Sequence, residues 1–141
     1  MDATAIILAA GEGTRMKSSH AKVSHKILGK PMIRWVADAA IAGGCDRVVV
    51  VVGSHADEVR AIVDAAYAGS AAAVECVEQA ERKGTGHAVK VALEATGIDE
   101  GPVVVLNGDL PLVTAESIRS FAESVSAGNA AATAFTITPP D

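Results

Sequence analysis

Apolar, β-branched runs alternate with stretches of helical period along this chain. Ala3 to Ala10, Arg47 to Gly53, Ala73 to Glu78 and Val103 to Asn107 read as strands. The second and fourth are continuous valine-rich runs, the pattern of strands buried on both faces. Each intervening segment is long enough to hold a helix, so the connections are crossovers and the strands are expected to be parallel. Pro31 can open a helix that places Met32, Val36, Ala39 and Ala40 on one face before Gly43 stops it. Ser54 can cap a second helix carrying Val59, Ile62, Val63 and Ala66, and Thr85 and Thr114 can cap two more. The last of these lines up Ile118, Phe121, Ala122 and Val125, ends near Gly128 and leads to a fifth strand around Ala131 to Thr138. Trp35 and Phe121 fall on apolar helical faces and are expected to fill core.

The fold class that follows is α/β, a doubly wound, mostly parallel, Rossmann-like sheet. In such sheets ligands bind beyond the carboxyl ends of the strands, where the strand order changes direction. Three loops follow strand ends in this way: Gly11 to Ser18, Gln79 to His87, and Asn107 to Pro111.

At 141 residues, half of them hydrophobic and 21% charged, the chain is sized for one core of ordinary composition. Residues 1–141 therefore read as one domain or part of one. No apolar run approaches the roughly 20 residues that span a bilayer, and Met1 to Ala10 carries no signal-peptide pattern, so the expected location is cytoplasmic, away from membranes. Cys45 and Cys76 lack metal-ligand spacing and read as reduced, packed thiols. The charge is unevenly placed. Six of the 12 Lys and Arg residues lie in the first 34 positions beside two acids, so that segment carries +4 and the remainder −9. In an acidic protein this indicates a local anion site rather than a nucleic-acid surface.

The centre of that basic segment is Leu8-Ala-Ala-Gly-Glu-Gly-Thr-Arg-Met-Lys-Ser18. Gly11 and Gly13, lacking Cβ, let backbone N–H groups approach anionic oxygens, while Arg15 and Lys17 add charge. Such a loop can be a phosphate cradle, most simply for a nucleoside triphosphate, or a plain tight turn after a strand. A dehydrogenase-type dinucleotide loop fits less well, because Met16 stands where the third glycine belongs and no acid ends the second strand.

The combination of Leu8-Ala-Ala-Gly-Glu-Gly-Thr-Arg-Met16, Lys22 and Gln79-Ala-Glu-Arg-Lys-Gly-Thr-Gly-His87 resembles the sugar-nucleotide pyrophosphorylases, and within them the N-acetylglucosamine-1-phosphate uridyltransferase branch. The first motif alone is shared with guanylyl, cytidylyl and thymidylyl transferases; the second is more selective. The resemblance implies transfer of a uridylyl group from UTP to a sugar 1-phosphate, N-acetylglucosamine 1-phosphate in that branch, with release of pyrophosphate. It implies that Leu8, Ala9, Ala10, Gly11, Gly13 and Thr14, with Gln79, Gly84, Thr85, Asn107 and Gly108, form the nucleotide site. Arg15 would hold the departing pyrophosphate, Lys22 the α-phosphate, and Asp109 a Mg²⁺ ion. Gln79 can match uracil, whose N3 donor lies between two carbonyl acceptors, because an amide offers both donor and acceptor.

The chain departs from the family pattern at Ser24, where relatives usually carry an apolar residue, a change expected to loosen packing beside Lys22. His20, His25, His55 and His87 lack metal-site spacing, and His25 and His87 are expected to orient loops. The family's nucleotidyltransferase domain continues beyond 141 residues, so this chain is expected to bind UTP weakly without turnover, to lack an acetyltransferase domain and to self-associate through uncovered apolar surface. A non-catalytic nucleotide-binding fragment, or a transferase acting on another sugar 1-phosphate, remains an alternative.

Overall fold

The computed structural model describes residues 3–10, 21–81 and 83–127. Four parallel strands form the central sheet: β1 (Ala3–Ala9), β4 (Cys45–Val52), β5 (Ala73–Glu78) and β6 (Val103–Asn107), in the order β5-β4-β1-β6. Between β1 and β4 lie a 3₁₀ turn (Lys22–Ser24), a short antiparallel hairpin of β2 (Lys26–Ile27) and β3 (Lys30–Pro31), and α1 (Met32–Ala42). The remaining connections hold α2 (Ala56–Tyr67) and α3 (Thr85–Thr96), and α4 (Ala115–Ala127) follows β6.

Helices cover both faces. On one, Ile7, Val48, Val50 and Val52 pack with Ile33 and Val36 of α1, Val59 and Val63 of α2, and Ile118 and Ala122 of α4. On the other, Ile6, Val49 and Val51 meet Ala88 and Ala92 of α3. The five-valine run of β4 is wholly buried because β4 has strands on both sides and helices above and below. The second valine-rich run behaves differently. In β6 only Val104 is buried, and Val105 is 41% exposed, because β6 is an edge of the described sheet and α3 lies over β1, β4 and β5. The expected burial of both its faces is therefore incorrect. The fifth strand proposed around Ala131 to Thr138 falls outside the described residues.

Helix starts also depart from expectation. His55 rather than Ser54 is the N-cap of α2, in the left-handed conformation, and Gly84 rather than Thr85 precedes α3, in both cases without a side-chain cap. Thr114 does cap, its Oγ1 accepting the Ser117 N–H at 3.1 Å. Trp35 is not core: its Nε1–H points at the carbonyls of Ile27 (3.0 Å) and Lys30 (3.1 Å), and the Lys30 ammonium lies 4.4 Å from its ring centre. It pins the hairpin to α1. Phe121 packs against the core as expected. Burial pushes the Cys45 thiol up to about 11 and the Cys76 thiol in the same direction, which keeps both protonated at neutral pH.

Asp38 ties the hairpin, α1 and α2 together. It pairs with Lys30, accepts the Tyr67 hydroxyl at 2.6 Å and lies 3.8 Å from Arg34. Burial alone would raise its carboxyl; the Lys30 and Tyr67 hydrogen bonds and the Lys30 and Arg34 charges overcome that and hold it below the ordinary value of 3.8. A depressed carboxyl contributes stability that is complete above its unfolded value and disappears as pH falls through the folded one. Asp38→Asn should therefore lower the melting temperature at neutral pH and flatten its decline below about pH 4. Equal acid slopes for both proteins in a thermal-melt series would contradict this.

Candidate functional site

The chain runs from β1 outward to β4 and β5, then returns to place β6 on the opposite side of β1. The strand order thus reverses at β1, and the crevice beyond the carboxyl ends of β1 and β6 is the switch point of the sheet.

At that crevice the Gly108 N–H donates to the Leu8 carbonyl at 3.0 Å, carrying the β1–β6 pairing past the last strand residue. Gly108 is buried so tightly that a Cβ would lie 2.9 Å from a Val23 methyl and 3.0 Å from the Leu8 oxygen. Only glycine lets the Asn107 to Asp109 loop sit this close to β1. Gly108→Ala is expected to destabilise by about 1–3 kcal/mol, the usual range for overpacking, and to displace Asp109. A denaturant midpoint equal to that of the unmutated chain would contradict the close-approach argument.

Asp109 follows directly, and its Oδ2 lies 2.9 Å from Lys22 Nζ. Their side chains are 39% and 37% exposed for Lys22 and Asp109 respectively, so the pair is open to solvent and to a ligand. Eighty-seven positions apart in sequence, the two meet because the 3₁₀ turn packs beneath the β6 loop through Val23.

Glu58, in the first turn of α2, anchors that turn. Its Oε2 accepts the Ala21 N–H at 3.1 Å, and its Oε1 lies 2.6 Å from the Ser24 hydroxyl, which also reaches the Ala21 carbonyl at 2.6 Å. The serine therefore fastens the turn that carries Lys22, contrary to the loosening expected from its polarity. Sequence reasoning missed Glu58; its one signal was an acid in the first turn of a helix, which the helix dipole alone would explain.

The third loop begins at Gln79, 5% exposed, whose N–H donates to the Val52 carbonyl at 2.8 Å and prolongs the β4–β5 pairing. Its Nε2 lies 3.3 Å from the Gly84 carbonyl and 2.9 Å from His87 Nδ1. Gly84 takes φ +97°, a conformation that favours glycine, and α3 starts immediately after it. From β5 to β6 is three strand spacings, about 14 Å. A ligand reaching from Gln79 to Asp109 must be elongated.

The structure brings the described members of the sequence-derived set together in two groups. Leu8 and Ala9 close β1 and Ala10 follows it, with Ala9 and Ala10 buried; Asn107 to Asp109 face them, Lys22 joins Asp109, and Gln79 with Gly84 forms a separate cluster beside exposed Thr85. Gly11, Gly13, Thr14 and Arg15 lie outside the described residues. Among the described residues no group of three or more His, Cys, Asp or Glu side chains could hold a metal ion, so Asp109 is the carboxylate at the switch point without a protein-built cage. No helix among them is long and apolar enough to cross a membrane.

A family model described as the MobA-like NTP transferase domain matches residues 5–138. The chain belongs to that family. Among curated relatives, the bifunctional protein GlmU of Sorangium cellulosum is 44% identical over 115 residues, covering 82% of this chain and 24% of that protein. GlmU of Shouchella clausii is 42% identical over 137 residues, covering 97% and 29% respectively. The chain spans about a quarter of the length of these relatives. Of solved structures, a UDP-glucose pyrophosphorylase complexed with UDP-glucose superposes with a TM-score of 0.68 at 21% identity, covering 89% of this chain and 55% of that one. Rv0371C of Mycobacterium tuberculosis H37Rv, in complex with manganese, superposes with a TM-score of 0.65 at 24% identity, covering 90% and 61%. Both likenesses establish the NTP transferase fold, a mostly parallel Rossmann-like sheet between helices.

Proposed function

We propose that this chain supplies the UTP- and Mg²⁺-binding part of a sugar-1-phosphate nucleotidyltransferase that transfers a uridylyl group from UTP to N-acetylglucosamine 1-phosphate, releasing pyrophosphate. The observation that carries the reading is the meeting of Lys22 and Asp109, 2.9 Å apart, at the switch point of an NTP transferase sheet. The similarity to GlmU proteins and the motifs at Gln79 to His87 support uridine and the acetylated sugar.

The acceptor phosphate is already an anionic nucleophile, so one of its oxygens attacks the α-phosphorus while the bond to the β-phosphate oxygen breaks, and pyrophosphate leaves with that electron pair. Such a reaction needs no activated serine, cysteine or histidine. It needs alignment and neutralisation of charge. Lys22 is held where its ammonium can follow charge on the α-phosphate, and the Gly11 to Arg15 loop would bind the departing phosphates. Asp109 suits Mg²⁺, a hard cation that takes one or two carboxylates and fills its shell with water and phosphate oxygens. When bound, the metal offsets phosphate charge. Gln79 and Gly84 would meet the base, some three strand spacings away.

Pyrophosphate release, assayed in the chain extended to a complete nucleotidyltransferase domain over UTP, CTP, GTP and dTTP and several sugar 1-phosphates, tests this. UTP with N-acetylglucosamine 1-phosphate should be turned over fastest. A faster reaction with another base or sugar would reassign the substrate, and release with none would reject the reading.

A further inference from the structure

We propose that His87 is a specificity-determining positioning residue, whose Nδ1 fixes the Gln79 amide so that Oε1 alone faces an incoming base. The inference rests on the uridine reading above and assigns its selectivity to a residue that does not itself meet the base. It starts from the Gly84 carbonyl, which can only accept. The Gln79 side-chain atom 3.3 Å from it must therefore be the NH₂ group. That nitrogen also lies 2.9 Å from His87 Nδ1, and because an NH₂ group only donates, the ring nitrogen is the acceptor in this contact. Both amide hydrogens are then engaged within the protein.

Gln79 is left with Oε1, which makes no hydrogen bond among the described residues. It offers acceptance and nothing else. This sharpens the sequence-based expectation that the amide would present a donor and an acceptor together. A base whose Watson–Crick edge carries an N–H at its centre, as uracil does at N3, can donate to Oε1. Cytosine has a bare acceptor there, and two acceptors facing each other leave both unpaired in a site where Gln79 is 5% exposed.

The orientation needs its second partner. The terminal torsion of a glutamine is broad and nearly two-fold, so a half-turn exchanges O and NH₂ at little intrinsic cost. Against that exchange the 3.3 Å contact to Gly84 is the longer of the two bonds, and the 2.9 Å contact to His87 the shorter. Without the imidazole only the longer Gly84 contact opposes the exchange, so the amide is held less firmly and can offer N–H to cytosine in a larger share of molecules.

The test compares dissociation constants for UTP and CTP, by titration calorimetry, in the unmutated chain, His87→Leu, His87→Asn and Gln79→Ala. Asparagine places Oδ1 where histidine has Nδ1 and can still accept. The unmutated chain should favour UTP, His87→Leu should lose about tenfold of that preference, the scale of one unpaired hydrogen-bonding group, and His87→Asn should keep most of it. Gln79→Ala should lose at least as much as His87→Leu. Without nucleotide, the Gln79 side-chain amide protons should show a hydrogen-bonded shift by NMR in the unmutated chain and in His87→Asn, and lose it in His87→Leu. An unchanged preference in a folded His87→Leu, or a His87→Asn that behaves like His87→Leu, overturns the proposal. If the unmutated chain does not discriminate UTP from CTP, the uridine reading fails as well, whereas the amide resonances report separately whether His87 holds Gln79.

Discussion

Asp109→Ala is expected to lower metal-dependent nucleotidyl transfer by about 1,000-fold or more, the scale of losing a principal electrostatic contributor at a reacting phosphate. The measurement is the maximal rate at saturating Mg²⁺, UTP and sugar 1-phosphate, in the chain extended to a complete nucleotidyltransferase domain. Asp109 leaves the Leu8–Gly108 backbone bond untouched, and its partner Lys22 is 39% exposed, so the lysine is not stranded in a dry interior. The fold should survive, with a melting temperature within a few degrees of the unmutated protein. Near-normal turnover would show that the metal is held elsewhere.

Lys22→Ala should separate rate from binding. Charge on the transferring phosphoryl group redistributes as the bond to the β-phosphate breaks, so an ammonium aligned with it stabilises the transition state more than bound UTP. The maximal rate should fall about 100- to 1,000-fold while the UTP dissociation constant rises by less than about tenfold. Equal losses in both would make Lys22 a simple binding residue. Glu58→Ala, which releases the turn carrying Lys22, should move the two quantities in the same order by smaller amounts, because the ammonium remains in place to bind phosphate but no longer in one position.

Much of this arrangement could be read from the chain because burial leaves a periodic trace. The valine run of β4 and the apolar run of β1 announce their surroundings, and the glycines at 84 and 108 mark places where the backbone must bend or come close. Val103 to Asn107 carries the same residue types as β4, yet composition records only that valine tolerates burial. Which strand is an edge of the described sheet is decided by the order of strands, a property of the topology. The hairpin at Lys26 to Pro31 leaves little trace in the sequence, because its strands are two residues each and its turn places Leu28 at φ +52°, where glycine or asparagine is the usual signal. Ser54 and Thr85 were reasonable caps by residue type, but the chain enters α2 through a left-handed His55 and α3 through Gly84.

At the site, residue types named the partners and geometry supplied their relations. Lys22 and Asp109 were legible as separate roles; their contact depends on how the 3₁₀ turn packs against the β6 loop. The role of the serine at position 24 depends on Glu58, which lies beside it only in the fold. Gln79 read as a two-sided hydrogen-bonding group because its commitment to Gly84 and His87 is tertiary.

The central claim is that one elongated crevice, from Gln79 beside β5 to Asp109 beyond β6, receives a nucleoside triphosphate. Titrating UTP with Mg²⁺ into the isotope-labelled chain and mapping the backbone amide shifts tests it most directly. The account predicts saturable changes at Ala10, Lys22, Gln79, Gly84 and Asp109, with none at Val63, Asp64, Tyr67, Ala68 and Val74, which line a separate cavity of about 270 Å³ between α2 and β5. Saturable shifts confined to that cavity, or none at the five crevice positions, would contradict it.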